Sequence, residues 1–195
     1  IDAAQNIKVS ADSGETLQNY VGTGGFAIGG YVGLGLSSVV NEINGITKAS
    51  LSASDLGASG DIEVNAYSTH AITNAVVTAG AAGSSSEGVG AAATVAVNKL
   101  EGETDAAIEA SDVNKDKTSE IGNVTVSADD IGSITSALGN AAVGIGADGG
   151  AALGEAADTV QLSRNVNAVI DGNDIGKNTV NANQLTVSAD AAHTV

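Results

Sequence analysis

The sequence of 195 residues contains no cysteine, proline, methionine or tryptophan, and aromatic residues make up only 2% of it. Without cysteine there is neither a disulfide framework nor a thiolate metal site. Without large aromatic side chains, the core has to be built from alanine, valine, isoleucine and leucine, which fill narrow spaces between closely spaced layers. These absences exclude a disulfide-stapled domain and argue against the thick core of a large globular enzyme.

Basic residues are also scarce, since seven lysines and arginines stand against 23 acids and give a formal net charge of -16. Nucleic acid is not expected as a partner, because its binding requires clustered lysine and arginine. An anionic membrane surface is disfavoured for the same reason. No run of 18 apolar residues occurs, so no membrane insertion is predicted. Divalent cations are natural partners of such a chain, although charge also serves solubility by self-repulsion.

One short segment occurs four times. LTVSAD at 185–190 matches VTVSAD at 124–129, IEVNAY at 62–67 and IKVSAD at 7–12. Each copy alternates apolar and polar residues, which is the period of a strand with one buried face. The first residues of the copies, Ile7, Ile62, Val124 and Leu185, are separated in turn by 55, 62 and 61 residues. The interval predicts a repeat of about 60 residues.

A second block repeats between these strands. SVVNEINGITKASLSASD, ending at Asp55, aligns without gaps on TVAVNKLEGETDAAIEASD, ending at Asp112, 57 positions later. The third copy is looser and keeps Ile170 and Asp174. The matched pairs in the first two copies are Val40 and Val97, Asn41 and Asn98, Ile43 and Leu100, Thr47 and Thr104, and Leu51 and Ile108.

Alternation continues through the body of each repeat. FAIGGYVGLGLSS, from Phe26, and GVGAAATVAVNKL, from Gly88, place large apolar residues on one parity and mainly glycine, alanine, serine or threonine on the other. A helix is disfavoured because each internal glycine costs about 1 kcal/mol and the apolar spacing is two. These segments are therefore predicted to be strands whose small-residue face either packs closely or lies flat.

The fold class predicted from these patterns is an all-β, repetitive β-solenoid, most simply a parallel β-helix of ~60-residue repeats. Residues 1–195 form a single solenoid segment, with repeats at approximately 7–61, 62–123 and 124–184 and a partial fourth at 185–195. Each repeat is expected to make two or three coils. Length varies only in 56–61, 113–123 and 175–184, which are predicted to be loops projecting from one edge. A β-sandwich array is the alternative architecture.

The repeat resembles that of very large bacterial exoproteins, the filamentous adhesins of haemagglutinin and leukotoxin type, which are autotransporter-like passengers. The matching segments are VVNEINGITKASL (39–51), VAVNKLEGETDAAI (95–108) and the four VTVSAD-like strands, whereas the third copy lacks the Val-Asn pair and the threonine. The resemblance implies a secreted, surface-attached stalk at the bacterial cell surface that mediates adhesion or builds a filament. It implies no catalytic residue. Its partners would be neighbouring repeats, other copies, or a host or matrix surface ligand.

One loop carries a candidate metal site. DVNKDKTSE places Asp112, Asn114, Asp116 and Glu120 at spacings that partly match a Ca²⁺-binding loop, although Lys117 stands where such a loop has glycine. A solvated charged loop is the simpler interpretation. No other cofactor is expected: the G-x-G-x-x-G match at Gly144, Gly146 and Gly149 stands alone in a glycine-rich chain.

The sequence therefore favours a non-catalytic structural or adhesive segment, and one that is a fragment of a longer chain. Two alternatives remain open. A carbohydrate-active β-helix enzyme would need clustered acids, cations and aromatic sugar platforms. A module that binds ice or a crystalline polymer would need regular threonine rows, and the threonines here are scattered.

Overall fold

A computed structural model describes residues 1–3, 5–118, 121–172 and 179–195. Within these residues the chain consists of strands and short turns, and all strand pairing is parallel. The predicted all-β solenoid is confirmed. None of the described residues forms a helix that could serve as a transmembrane span.

The strands form three parallel sheets, each of which contributes one side of a complete coil. Sheet I has the order β10-β8-β5-β2, sheet II the order β3-β6-β9 and sheet III the order β1-β4-β7. The strands are β1 (Asp2–Ala3), β2 (Ile7–Ile28), β3 (Val32–Ser52), β4 (Asp55–Ala58), β5 (Ile62–Ser84), β6 (Glu87–Glu109), β7 (Asp112–Val113), β8 (Val124–Gly146), β9 (Gly149–Asp171) and β10 (Leu185–Thr194).

The register of the strands follows the sequence repeat. Ile7 pairs with Ile62, Ile62 with Val124, and Val124 with Leu185. All five pairs of the second block pair in β3 and β6, and Asp55 pairs with Asp112. Asp174, the proposed third partner, lies outside the described residues.

The expected number of coils per repeat is wrong, because each repeat makes one coil. The long strands of sheets I and II have 21 to 23 residues where they are complete. Most of the glycines within them face the interior as parts of continuous strands, whereas Gly22, Gly24 and Gly139 face outward. They do not break the chain into the shorter strands that two or three coils would require.

The coil is widest where all three sheets meet. Ile62, Val64, Ile108, Val124 and Val126 are fully buried there in one aliphatic cluster. Valine stands in the same row in every coil, and the other row runs from Leu51 through Ile108 to Ile170. Members on the end coils are more exposed, because a neighbouring coil covers them on one side only; Val187 is 46% exposed.

A second aliphatic layer crosses the middle of each coil and separates the wide end from a narrow half. Ile43, Ile72, Leu100 and Ile134 form this layer, flanked by Leu17 and Leu162. Beyond it lies the narrow half, which we define as residues 18–41, 73–98 and 135–160. Here sheets I and II face each other without the third sheet.

Glycine and alanine bring the two sheets together in the narrow half. A Cβ atom added to Gly80 would overlap the carbonyl oxygen of Ala91 on the opposite sheet, and one added to Gly90 would overlap that of Val143. The small-residue parity found in the sequence is therefore the interior face, and the larger aliphatic residues point outward. Backbone packs directly against backbone near the tip.

The wide end shows where the loop prediction was only partly right. Leu56, Ala58 and Val113 are buried in the wide-end cluster, within the segments expected to project. They are apolar, and sheet III closes the gap between the two long sheets. Variable length is confined to 59–61 and 114–123 in the first two coils, and 175–178 lie outside the described residues.

The corner between sheets II and III repeats an unusual backbone conformation. Ala53 and Ala110, 57 residues apart, have φ values of 47° and 48° in the left-handed region. Ser54 and Ser111 follow them, and the Ser54 N–H donates to Ser111 Oγ at 3.2 Å. The corner therefore repeats in structure as it does in sequence, although the aligned Ala-Ser pairs did not predict its left-handed conformation.

Candidate functional sites

Three of the four candidate calcium residues, Asp112, Asn114 and Asp116, lie at the corner formed by sheet III. Asp112 Oδ2 accepts a hydrogen bond from Lys115 Nζ at 2.7 Å, and Oδ1 accepts one from the Thr179 N–H at 3.0 Å. These bonds lower the pKa of Asp112. Asp116 lines an open cleft of about 530 Å³ beside Asp55. Glu120 lies outside the described residues.

Asn114 is placed for a structural role at this corner. It is 2% exposed and adopts a left-handed φ of 50°. Its Oδ1 accepts from the Ala58 N–H at 2.9 Å, and its Nδ2 donates to the Asn181 carbonyl at 3.2 Å. One side chain thereby ties three coils together. In the part of the chain that the structure describes, no three acidic or histidine side chains are grouped as metal ligands, so calcium binding stays a prediction.

The most strongly interacting polar group is a buried ion pair that the sequence analysis did not identify. Asp130 on β8 and Arg164 on β9 have fully buried side chains, and Arg164 Nε donates to Asp130 Oδ2 at 2.9 Å. Ser68 and Thr104 each donate to the same oxygen at 2.8 Å. Sheets I and II are joined through one carboxylate oxygen.

Glycines make room for the arginine. Gly45 and Gly102 occupy the positions of Arg164 in the first two coils, and a Cβ at Gly102 would collide with the guanidinium. Arg164 Nη1 donates to the carbonyls of Glu101 at 2.8 Å and Gly45 at 3.3 Å. The side chain therefore runs along the solenoid axis and satisfies backbone carbonyls of both preceding coils.

The environment of the pair fixes its protonation. Burial alone would raise the pKa of Asp130, but hydrogen bonds from Arg164, Ser68, Thr104 and His193 outweigh burial and hold the pKa at about 2. Asp130 is therefore ionised at neutral pH. The site is a neutralised, hydrogen-bonded pair enclosed by protein.

The two histidines share one interior row with Glu15 and Gly132, in the order Glu15, His70, Gly132, His193. His193 Nε2 lies 3.1 Å from Asp130 Oδ1. His70 is 1% exposed, and neither ring nitrogen has a hydrogen-bond partner among the described residues. Burial, and after it the charge of Arg164, lowers the pKa of His70, so this imidazole is neutral at pH 7.

A second interior row consists of side-chain amides. Asn19 Nδ2 donates to Asn41 Oδ1, Asn41 Nδ2 to Asn98 Oδ1 at 2.7 Å, and Asn98 Nδ2 to Asp158 Oδ1 at 3.0 Å. Each donor serves an acceptor in the same or the next coil. The row therefore links all three coils through the interior.

Hydroxyl groups form a parallel chain nearer the tip. Ser37 Oγ bonds to Thr23 Oγ1, Thr78 Oγ1 to Ser37 Oγ and Thr78 Oγ1 to Thr94 Oγ1, each at 2.7 Å. Thr94 Oγ1 then donates to Asn140 Oδ1 at 2.6 Å. These side chains alternate between sheets I and II and bond across the space that separates them.

Sequence parity contained the signal for the ion pair. Asp130 has the inward parity of Val124, Val126 and Ala128, and Arg164 that of Leu162 and Ile170. Opposite charges at inward positions, where most residues are apolar or small, predict a buried pair. The register of β8 against β9 was not available from the sequence.

The solenoid also presents unpaired strand edges. Over the described residues, β10 covers β8 only from Val124 to Ser133, so β8 has no sheet neighbour on that side from Ile134 to Gly146. β9 forms one edge of sheet II, and β2 and β3 form the edges at the opposite end. Such edges present backbone N–H and C=O groups to another strand.

Comparison with protein-family models, curated proteins and solved structures gave no match to this chain. The resemblance of the repeat to bacterial adhesins therefore stays an interpretation of sequence pattern.

Proposed function

We propose that this chain is a non-catalytic structural or adhesive segment of a secreted bacterial surface adhesin or extracellular filament. The observation that carries the proposal is the stacking of one repeat per coil, in register, with unpaired edges at both ends. Solenoids of this kind gain stability from each neighbouring coil. A further coil, from the same polypeptide or from another copy, would pair with these edges.

Interior rows support the same proposal. The amide row, the hydroxyl chain and Arg164 all run along the axis and connect one coil to the next. Their polar groups bond to one another and to backbone, and those of the central coil, Thr78, Thr94 and Asn98, are buried. Such an arrangement holds coils in register and suits a load-carrying or surface-presenting role.

The interior row that contains the histidines predicts one specific contact between stacked copies. His193 is the ninth residue of β10, and Glu15 is the ninth of β2. A further copy stacked in the register of β2 on β5 would therefore place its Glu15 beside His193. The Glu15 carboxylate can accept a hydrogen bond from an imidazole N–H, which favours the in-register arrangement.

The test is assembly of the isolated segment, followed by light scattering and negative-stain microscopy in EDTA and in millimolar Ca²⁺. We expect concentration-dependent growth into elongated particles, with more growth in calcium because it counteracts the acidic charge. Oriented samples should diffract at about 4.8 Å along the particle axis, which is the spacing between paired strands.

Two results would contradict the proposal. One is a monodisperse monomer in both conditions with intact strand-type circular dichroism. The other is release of new reducing ends from acidic or neutral polysaccharides, which would instead support the carbohydrate-active alternative.

A further inference from the structure

The outer face of sheet II in the narrow half is apolar and has no covering element among the described residues. We call the outward side chains of 32–40, 89–97 and 151–159 the apolar face. Leu36 is 67% exposed, Val40 66%, Leu153 65% and Leu34 57%. The three strands are neighbours in the sheet, so these side chains form one continuous surface.

The size of this face sets it apart from scattered surface leucines. Five side-chain positions along each of three strands cover about 500 Å², from strand spacings of about 4.8 Å and residue rises of about 3.4 Å. Apolar patches of several hundred Å² on a soluble protein usually mark an interaction surface.

The total solvent-accessible surface is also larger than expected for a compact monomer. The described chain exposes 10088 Å². A compact monomer of 18.8 kDa is expected to expose about 8,300 Å². Open coil ends contribute to the excess, and so does a narrow half with solvent on both outer faces.

Charge is distributed very unevenly between the two halves. The narrow half contains four of the 23 acids, Glu87, Asp148, Glu155 and Asp158, and none of the seven bases. Asp158 points inward to Asn98, and Glu87 and Asp148 lie at the tip. Only Glu155 lies within the apolar face, on the edge strand β9. The other 19 acids belong to the rest of the chain.

We propose that the apolar face binds the same face of a second copy, as a two-fold dimer with the wide ends at opposite extremes. The symmetric arrangement matches apolar surface with apolar surface and keeps the two acid-rich wide ends as far apart as the molecule allows. The dimer would bury about 1,000 Å² over both copies, near the lower limit for a specific interface. It is therefore weak and concentration-dependent. This contact is separate from the edge pairing of the proposed function.

The outer face of sheet I is a poorer candidate for the interface. It includes Gly22, Gly24 and Gly139, which provide no side chain to bury. Four of its six exposed large apolar residues, Phe26, Ile28, Val143 and Ile145, lie close to the tip, and only Tyr20 and Val77 lie further from it.

The experiment is sedimentation velocity over a wide range of protein concentration, with a matched pair of variants on β3. Leu36→Glu places a charge in the apolar face. Ile46→Glu places the same charge at an outward position of the wide end of β3, where isoleucine is 72% exposed. Circular dichroism and thermal melting establish that both variants fold.

The wild type and Ile46→Glu should dimerise with the same affinity, and Leu36→Glu should weaken the dimer at least tenfold, because its charge would be desolvated. Added salt should strengthen the wild-type dimer by screening repulsion between the acidic wide ends. Larger particles that form by edge pairing should persist in Leu36→Glu, so the two modes of association are distinguishable.

Three results would overturn the proposal. These are a wild type without a dimer at any concentration, a dimer that is equally stable in Leu36→Glu, and a monomer that floats with phosphatidylcholine vesicles only while Leu36 is intact. The last would assign the apolar face to a lipid surface.

Discussion

Asp130 occupies a row in which the preceding coils carry Ser13 and Ser68, so the buried charge is a local departure from the repeat. Its partner, Arg164, departs from the repeat in the same coil by replacing glycine. A charge with one missing partner in such an interior is strongly destabilising, because neither water nor another group replaces the lost bonds. A buried Asp130 therefore requires Arg164 in the same coil, and the two substitutions of the repeat occur together.

The first prediction concerns removal of one partner. Arg164→Met should lower the free energy of unfolding in urea by about 3–5 kcal/mol, because it leaves Asp130 buried without its counterion. The double variant Asp130→Asn/Arg164→Met should lose distinctly less. Lys48→Met, which breaks the longer contact of half-exposed Lys48 with Asp105 at 3.8 Å, should cost about 1 kcal/mol or less. Equal losses in the Arg164 and Lys48 variants would show that the buried pair has no special role.

The second prediction concerns acid. The pKa of Asp130 falls from 3.8 to about 2 in the folded chain. A carboxyl group with a lowered folded pKa stabilises the fold above its unfolded pKa, and that stability is lost as the pH falls from about 4 towards 2. The contribution is roughly 2 kcal/mol, since one pKa unit corresponds to about 1.4 kcal/mol.

Urea unfolding at several pH values between 5 and 2 measures this contribution. Asp130→Asn should be less stable at pH 5 and should lose less stability on acidification than the wild type. Asp129→Asn, at the adjacent outward position, should retain the wild-type slope. A parallel decline in all three proteins would contradict the assignment of this titration to Asp130.

At the scale of the element, each long strand contains three environments along its length. β5 begins within the wide-end cluster at Ile62, crosses the aliphatic layer at Ile72 and packs against backbone near Gly80. The interior residue shrinks as the opposing sheet approaches. The separation of the sheets is therefore set by side-chain size, position by position.

The third prediction tests that separation. Gly80→Ala should reduce the free energy of unfolding by about 1–3 kcal/mol, because the new methyl group overlaps the carbonyl of Ala91 and backbone must move. Gly83→Ala, on the same strand but in open space, should be neutral or stabilise by up to about 1 kcal/mol. Chemical denaturation of both variants checks the pair. A tolerated Gly80→Ala would mean that the sheets are not in backbone contact.

Strand register could be predicted from sequence, whereas the path of the coil could not. Alternation and repeat spacing placed Val64 over Val126, and Leu51 beneath Ile108, because a buried strand face has a period of two. The number of coils per repeat depends on strand length, and glycine in an alternating segment is ambiguous between a turn and a close-packed face. Here most of these glycines belong to a close-packed face, because sheets I and II approach each other closely. That approach is visible only in the three-dimensional structure.

The hydrogen-bond partners of the candidate site residues could not be predicted from the sequence either. Asp112, Asn114 and Asp116 were recognised by spacing, but Asn114 bonds across coils to Ala58 and Asn181. Such contacts join residues more than 50 positions apart. Their prediction needs the register of the third sheet, whose strands are only two to four residues long.

At the scale of the whole molecule, the central coil is the only described coil with long strands paired on both sides along its full length. β5 lies between β2 and β8, and β6 between β3 and β9. In a stacked array, local stability follows the number of neighbours.

The fourth prediction follows from this arrangement. Amide hydrogen exchange at low protein concentration should be slowest in β5 and β6 and faster in β9 and β10, because end coils open without disrupting the centre. Mass spectrometry of peptic fragments measures the difference. When the concentration is raised to allow assembly, protection should spread to β9. Uniform protection at all concentrations would indicate a single cooperative unit with closed ends.

The length of the coil has a consequence for how such a protein occupies space. About 60 residues advance the axis by only one strand spacing, about 4.8 Å, whereas the same residues in a helix would span about 90 Å. A thousand residues of this repeat would reach only about 80 Å from their base. Each coil instead adds two outer strips roughly 70 Å long, from strands of 21 to 23 residues. Successive repeats would thus add a large area of outer surface while increasing the length along the axis only slowly.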